Sequence, residues 1–297
     1  MFEVARVTSQ PPAQPPAHLR PETRAQQTTG LVVVSVLFGV VVGTCFVYAV
    51  PLGLMASAAT LVLVGQFVSD TRRHTNRVIR ANDEAVALIH GGRMIAASER
   101  LEAQARLVRH VPMVHAILVC NRAVAAMAMG DFSGALVLLE SVREGRWLNN
   151  PDLPLRENLA LAFMQAHLLQ GDLSQARTWA AAARETLAPA REGMMVLPEV
   201  ALACAEGRWA DAMAHARQGR ASAEAVLPAA HLRTLGVLEA FAWAHTPEGA
   251  ANPEGIAFLV RSNAPRQPWE LFAFRKAWPG FDAFCRAWAL QAPVEQP

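Results

Sequence analysis

The chain has 297 residues, a formal charge of +2 and 53% apolar residues. It is long enough for a sizeable core, and greasy enough that membrane segments must be sought before any fold is considered. Beyond residue 80 stand 20 basic and 22 acidic residues, so the main body carries no electrostatic footprint for nucleic acid. Cys45, Cys120, Cys204 and Cys285 are too far apart for a CxxC or zinc spacing, which argues against a disulfide framework or metal finger.

Residues 1–29 are rich in Pro and Gln, including PPAQPP, and predict a disordered arm with little to bury. LVVVSVLFGVVVGTCFVYAV (31–50), Pro51 and LGLMASAATLVLVGQFVS (52–69) follow without a charge. One straight helix over that run would measure about 58 Å, against roughly 30 Å of hydrocarbon. Two crossings with a reversal near Val50-Pro51-Leu52-Gly53 use the length, so a transmembrane hairpin is expected over 30–69. A cleaved signal at Ala56-Ser57-Ala58 and a lipoprotein cysteine at Cys45 are both disfavoured, because the apolar run continues past each.

The segment 70–80 carries Arg72, Arg73, Arg77 and Arg80 directly after the second apolar stretch. Short basic flanks stay in the cytoplasm. The expectation is an integral inner-membrane protein with its N-terminus and everything after residue 70 on the cytoplasmic side. The same arginines would also attract anionic lipid headgroups, at about 1 kcal/mol per charge. Gly39 and Gly43 form GxxxG, and Gly53 with Ser57 a second small-xxx-small pair. Such pairs let helix backbones approach closely, either between chains as a homo-oligomer or, as favoured here, between the two arms of the hairpin.

Four short stretches then repeat: GGRMIAA (91–97), MGDFSGA (129–135), QGDLSQA (170–176) and EGRWADA (206–212). Gly92, Gly130, Gly171 and Gly207 are separated by 38, 41 and 36 residues, and five positions after each stands Ala97, Ala135, Ala176 or Ala212. Helix-length apolar segments lie before and after each corner. The glycine is expected to end one helix in a left-handed conformation, Asp131 and Asp172 to cap the next, and the alanine to let the helices cross closely. Pairs of this kind cannot bury their apolar faces alone and stack into a solenoid.

These corners resemble the tetratricopeptide (TPR) family, whose repeat carries a Gly-Asp-aromatic turn followed by Ala. GDFSGA, with Phe132 at the aromatic place, matches best; Arg208 replaces the Asp in EGRWADA, and Met94 replaces the aromatic in GGRMIAA. The resemblance covers roughly residues 80–225. Together with the apolar run and the aromatic C-terminus, it leads to the expectation of an all-α fold: two transmembrane helices, a TPR-like α-solenoid of about four helix pairs over 81–245, and a C-terminal cap over 246–297. The resemblance also implies a groove lined by the first helix of each pair, with Ile117, Cys120, Asn121, Val124 and Met127 in the second repeat and Asn158, Leu161, Gln165, Leu168 and Leu169 in the third. Some members clamp a partner's terminal carboxylate with Lys and Arg there. Neither occurs at these positions, so the implied ligand is a protein or peptide segment held by apolar anchors and backbone hydrogen bonds. A competing reading makes many of these aliphatics core residues, Leu161, Leu168 and Leu169 above all.

No phosphate loop, HExxH, GxSxG or GK[ST] occurs, and the nine histidines are scattered. Nothing argues for an enzyme, a metal or a cofactor. TPEGAANPEG (246–255) reads as a turn, and residues 268–290 gather Trp269, Phe272, Phe274, Trp278, Phe281, Phe284 and Trp288. A lid on the open end of the solenoid is expected, against an exposed aromatic surface for a partner. The functional expectation is a membrane-anchored adaptor; the alternative is a structural subunit or assembly factor of a membrane complex.

Overall fold

The computed structural model describes residue 76 and residues 78–109, 111–143 and 155–290. The Pro/Gln-rich arm, the apolar hairpin with Gly39, Gly43, Gly53 and Ser57, and Arg72, Arg73 and Arg77 lie outside these; Arg80 lies within and is exposed. Among the described residues the chain is all-helical, and no helix is long and apolar enough to cross a membrane.

The helices come in pairs because each corner closes on itself. The first pair is α1 (78–90) with α2 (Met94–Leu107), the second α3 (Pro112–Ala128) with α4 (Phe132–Val142). The third is α5 (Leu155–Gln170) with α6 (Leu173–Thr186), and the fourth α7 (Val196–Ala205) with α8 (Trp209–Gln218). Between the members of each pair one glycine takes the left-handed conformation: Gly92 at φ 78°, Gly130 at 75°, Gly171 at 86° and Gly207 at 73°. The amide after each glycine reaches back to a carbonyl five residues earlier (Arg93 to Leu88, Asp131 to Ala126, Asp172 to His167, Arg208 to Ala203), each at 2.9 Å. The glycine amide itself donates to the carbonyl three residues back, as from Gly130 to Met127 at 2.9 Å. This double closure satisfies the orphaned carbonyls of the first helix within the corner itself.

The second helix then starts at once. Asp131 Oδ1 accepts from the Gly134 amide at 2.9 Å and Asp172 Oδ1 from the Gln175 amide at 3.1 Å, while Arg93 and Arg208 offer no side-chain cap. Ala97, Ala135, Ala176 and Ala212 are all fully buried, and one turn on Leu101, Leu139, Ala180 and Ala216 are buried too. Burying a leucine stabilises by about 1.5–3 kcal/mol, and the methyl of the alanine is what allows the helix beside it to come near enough to do so.

Each first helix packs on the pair before it: α3 on α2, α5 on both α3 and α4, and α7 on both α5 and α6. Polar ties cross the same seams, with Gln170 Nε2 donating to Ser133 Oγ at 3.1 Å and Arg177 pairing with Glu206. Between pairs three and four a 3₁₀ turn (Pro189–Met195) is held by Glu157, which accepts from the Ala188 amide at 3.1 Å and pairs with Arg191. A short α9 (Arg220–Val226) lies against this turn.

The repeat packing extends at both ends beyond 81–245. Val78 is already core, and α10 (Ala229–Ala244), stacked on α7 and α8, pairs with α12 (Pro253–Ser262) through the single turn α11 (Pro247–Ala250). This fifth corner uses no left-handed glycine. Instead two caps follow one another: Thr246 Oγ1 accepts from the Gly249 amide at 3.1 Å and Asn252 Oδ1 from the Gly255 amide at 2.9 Å, each before a first-turn proline.

The aromatic C-terminus does two things. Across a break at Trp278, α14 (Pro279–Ala287) puts Phe281 and Phe284 edge-on against Phe241 of α10, at ring centroid distances of 5.2 and 5.4 Å. Before the break, a 3₁₀ turn (Pro268–Leu271) rests on α10 and α13 (Phe272–Ala277) runs back across α3 and α5. The rings Phe274, Phe281 and Phe284 are buried, so they form no exposed aromatic surface.

At the glycine corners, Gly171→Ala and Gly207→Ala add a side chain that meets no neighbouring atom, and only the backbone penalty applies. Each should cost about 1–2 kcal/mol in chemical denaturation. Gly92→Ala also drives its methyl into the Trp269 indole, and is expected to cost at least about 1 kcal/mol more. Equal losses at all three sites would show that the indole does not bear on the corner.

Candidate functional site

The row of first helices is where the sequence places a groove, and its residues divide sharply. Cys120, Met127, Leu161, Leu168 and Leu169 are all buried in the common core. They hold helices together, which is the competing reading stated for the leucines. Ile117 is half-buried against the same core. Val124 is exposed at 39%, Asn158 is exposed and Gln165 is half-buried. Of the positions the resemblance assigns to a groove, Val124 and Asn158 are thus the exposed ones, while Ile117, Asn121 and Gln165 are half-buried.

The two asparagines are already engaged. Asn121 Nδ2 donates to Asn82 Oδ1 at 2.7 Å, an amide pair between α1 and α3 spaced by 39 residues. Asn158 Oδ1 accepts from Arg191 Nη2 at 2.9 Å. Asn82 was legible only in retrospect: its separation from Asn121 is close to the corner period, but a single asparagine pair without the glycine frame carries no signal.

Sequence reasoning missed the most highly organised polar group, which ties the C-terminal segment to α10. Glu270, 8% exposed, accepts from Arg233 through both carboxylate oxygens, Nε at 2.8 Å and Nη2 at 2.7 Å. Its Oε1 accepts further from the Arg266 and Gln267 amides at 3.2 and 3.1 Å, and the Thr234 hydroxyl donates to its carbonyl at 3.2 Å. The bond to Glu270 raises the Arg233 guanidinium above its ordinary value. A bidentate pair of this geometry is what arginine supplies and lysine does not.

Around this pair the packing is close. The Trp269 indole covers Gly92, and the Lys276 stem covers Gly130. Trp269 Nε1 and His231 Nδ1 are buried without a hydrogen-bond partner among the described residues. Burial holds the His231 imidazole below its ordinary value; His90 works in the same direction and Glu270 against it. Farther along, Arg275 donates through Nε to Asp282 Oδ1 at 2.8 Å and through Nη1 to the Leu290 carbonyl at 3.4 Å, which ties Leu290 back to α13.

Among the described residues no three His, Cys, Asp or Glu side chains are placed to hold a metal ion. Burial pushes the thiols of Cys120, Cys204 and Cys285 up to about 12, where no thiolate forms near neutral pH. No protein-family model, curated protein or solved structure matches this chain.

The three thiols should therefore resist maleimide at pH 7.5 and label only in denaturant; labelling of Cys120 in the native protein, located by mass spectrometry, would contradict the core placement of α3. A second expectation concerns acid. His231 and His167 are both held below the ordinary 6.5, mainly by burial. Below that pH the unfolded chain binds protons that the folded chain refuses, so stability falls as pH drops from 6.5 toward the folded values and is unaffected above it. Denaturation midpoints at pH 7.5 and 5.5 should differ less in His231→Gln than in the wild type.

Proposed function

We propose that the protein is a membrane-anchored, cytoplasm-facing TPR-like adaptor that holds a protein or peptide partner on its row of first helices. The observation that carries this reading is the regular corner, which presents one helix of every pair side by side and leaves Val124 and Asn158 exposed and Gln165 half-buried on adjoining helices. Apolar anchors flanked by amides suit an extended or helical peptide. The uncharged run 31–69 and the arginines that follow support attachment at an inner membrane with the repeats on the cytoplasmic side. Attachment would act by placement: confining adaptor and partner to one surface raises their effective concentration without new contacts.

The test uses a photo-crosslinking amino acid at Val124 or Asn158 of the full-length protein in native membranes, with Glu185 on α6 as the control. A second polypeptide joined from the first-helix positions and not from Glu185 is the expected outcome. No adduct, or the same adducts from all three positions, would remove the adaptor reading.

A further inference from the structure

Part of the row of first helices already has an occupant, one that leaves Val124 and Asn158 exposed. Residues 267–277 cross α3, α5 and α10, with the Trp269 indole over the first corner and the Lys276 stem over the second. We propose that this segment is a strap that stands in for the partner. The partner it mimics is a peptide with a carboxylate between an aromatic and an aliphatic residue, and Arg233 receives that carboxylate. The proposal rests on the adaptor reading and gives its ligand a chemistry.

Four observations carry it. First, the strap docks as a bound peptide does, through side-chain anchors: Glu270 sits in the fork of Arg233 beside Leu271, which is buried at 2% exposure. Second, it is bounded by natural breaks. Ala264, Arg266 and Gln267 are exposed in a turn on one side, and Trp278, extended before Pro279, ends it on the other. Third, its own structure is slight. A four-residue 3₁₀ turn and a six-residue helix are far below the length at which a helix holds itself, so the strap is ordered by the surface beneath it. Fourth, the fit has a flaw, since the Trp269 Nε1 proton is buried without an acceptor among the described residues.

The segment beyond the break behaves differently. Phe281 and Phe284 are locked on Phe241, and Arg275 is tied to Asp282 and Leu290 across it. Lifting gives up the Phe274–Phe281 and Arg275–Asp282 contacts with α14, but α14 itself stays held on Phe241, and this tether keeps the strap's local concentration high and lets it reclose. A ligand meets only the lifted fraction, so its apparent affinity is reduced by that fraction, and weakening the Arg233–Glu270 contact restores it.

Native-state hydrogen exchange on the full-length protein in lipid nanodiscs tests the lifting. Strap amides (268–277) should exchange through an opening that leaves α5 and α10 protected, and Glu270→Gln should speed strap exchange tenfold or more without changing α5. The docking chemistry is tested with a fluorescent synthetic peptide of residues 264–278 supplied in trans. It should bind Glu270→Gln at least tenfold more tightly than wild type, and lose that gain when Arg233→Gln is added. Strap amides that exchange only together with α5 in the wild-type protein would overturn the proposal, whatever the variants do. Equal peptide binding by all three proteins would overturn it as well. Neither measurement uses a cellular partner, so each succeeds or fails independently of the cross-linking result at Val124.

Discussion

A chain that reverses within a few residues between two packed helices can do so by sending one residue through the left-handed region, and it must return its last carbonyls to some amide before water is excluded. Gly92, Gly130, Gly171 and Gly207 meet both demands with one geometry. Once the reversal is fixed, the fifth residue on points into the seam. Only a methyl fits there, and Ala97, Ala135, Ala176 and Ala212 are accordingly without solvent exposure. The larger packing inherits from this: each pair stacks on the one before it, and the first helices of successive pairs touch.

That dependence also decides what could be read from the amino-acid string. Corner chemistry is local, so a glycine and an alanine five apart, with Asp131 or Asp172 between them, announce themselves without any knowledge of the fold. The fifth corner was opaque because it solves the same problem by other means. Thr246-Pro247 and Asn252-Pro253 are two successive helix starts, and they read as a turn-rich stretch until α10 and α12 are seen to pair. The positions expected to line a groove could be assigned only by face. Spacing from the glycine located the first helices correctly, but it could not tell Val124, open to solvent, from Met127, which is core. The path of the C-terminal segment depends on contacts between residues far apart in sequence, and no local pattern marks Arg233 as the partner of Glu270.

The polar chemistry is unevenly spent. Pairs such as Arg208–Asp211 and Arg220–Glu224 lie on the surface, where an ion pair contributes at most about 1 kcal/mol. Arg233–Glu270 is removed from water, doubly bonded and supplemented by backbone amides, and an unmatched member of such a pair would be costly. Its value is in specificity: aromatic and aliphatic side chains would bury on many parts of a helical row, but a carboxylate has one satisfactory place. The thiols show the opposite economy: Cys120, Cys204 and Cys285 are buried as small side chains in the core, and Cys204 Sγ donates to the Leu238 carbonyl.

The tie between the Trp269 ring and the Gly92 corner joins parts of the chain that leave the ribosome far apart in time. At ordinary rates of translation, about 5–20 residues per second, the first corner is complete roughly ten to thirty seconds before Trp269 is made. Throughout that interval the growing solenoid displays an uncovered row of first helices beside whatever surface its N-terminus has reached. Nascent chains of this protein thus pass through an uncovered stage that the finished molecule reaches only by lifting a segment of itself.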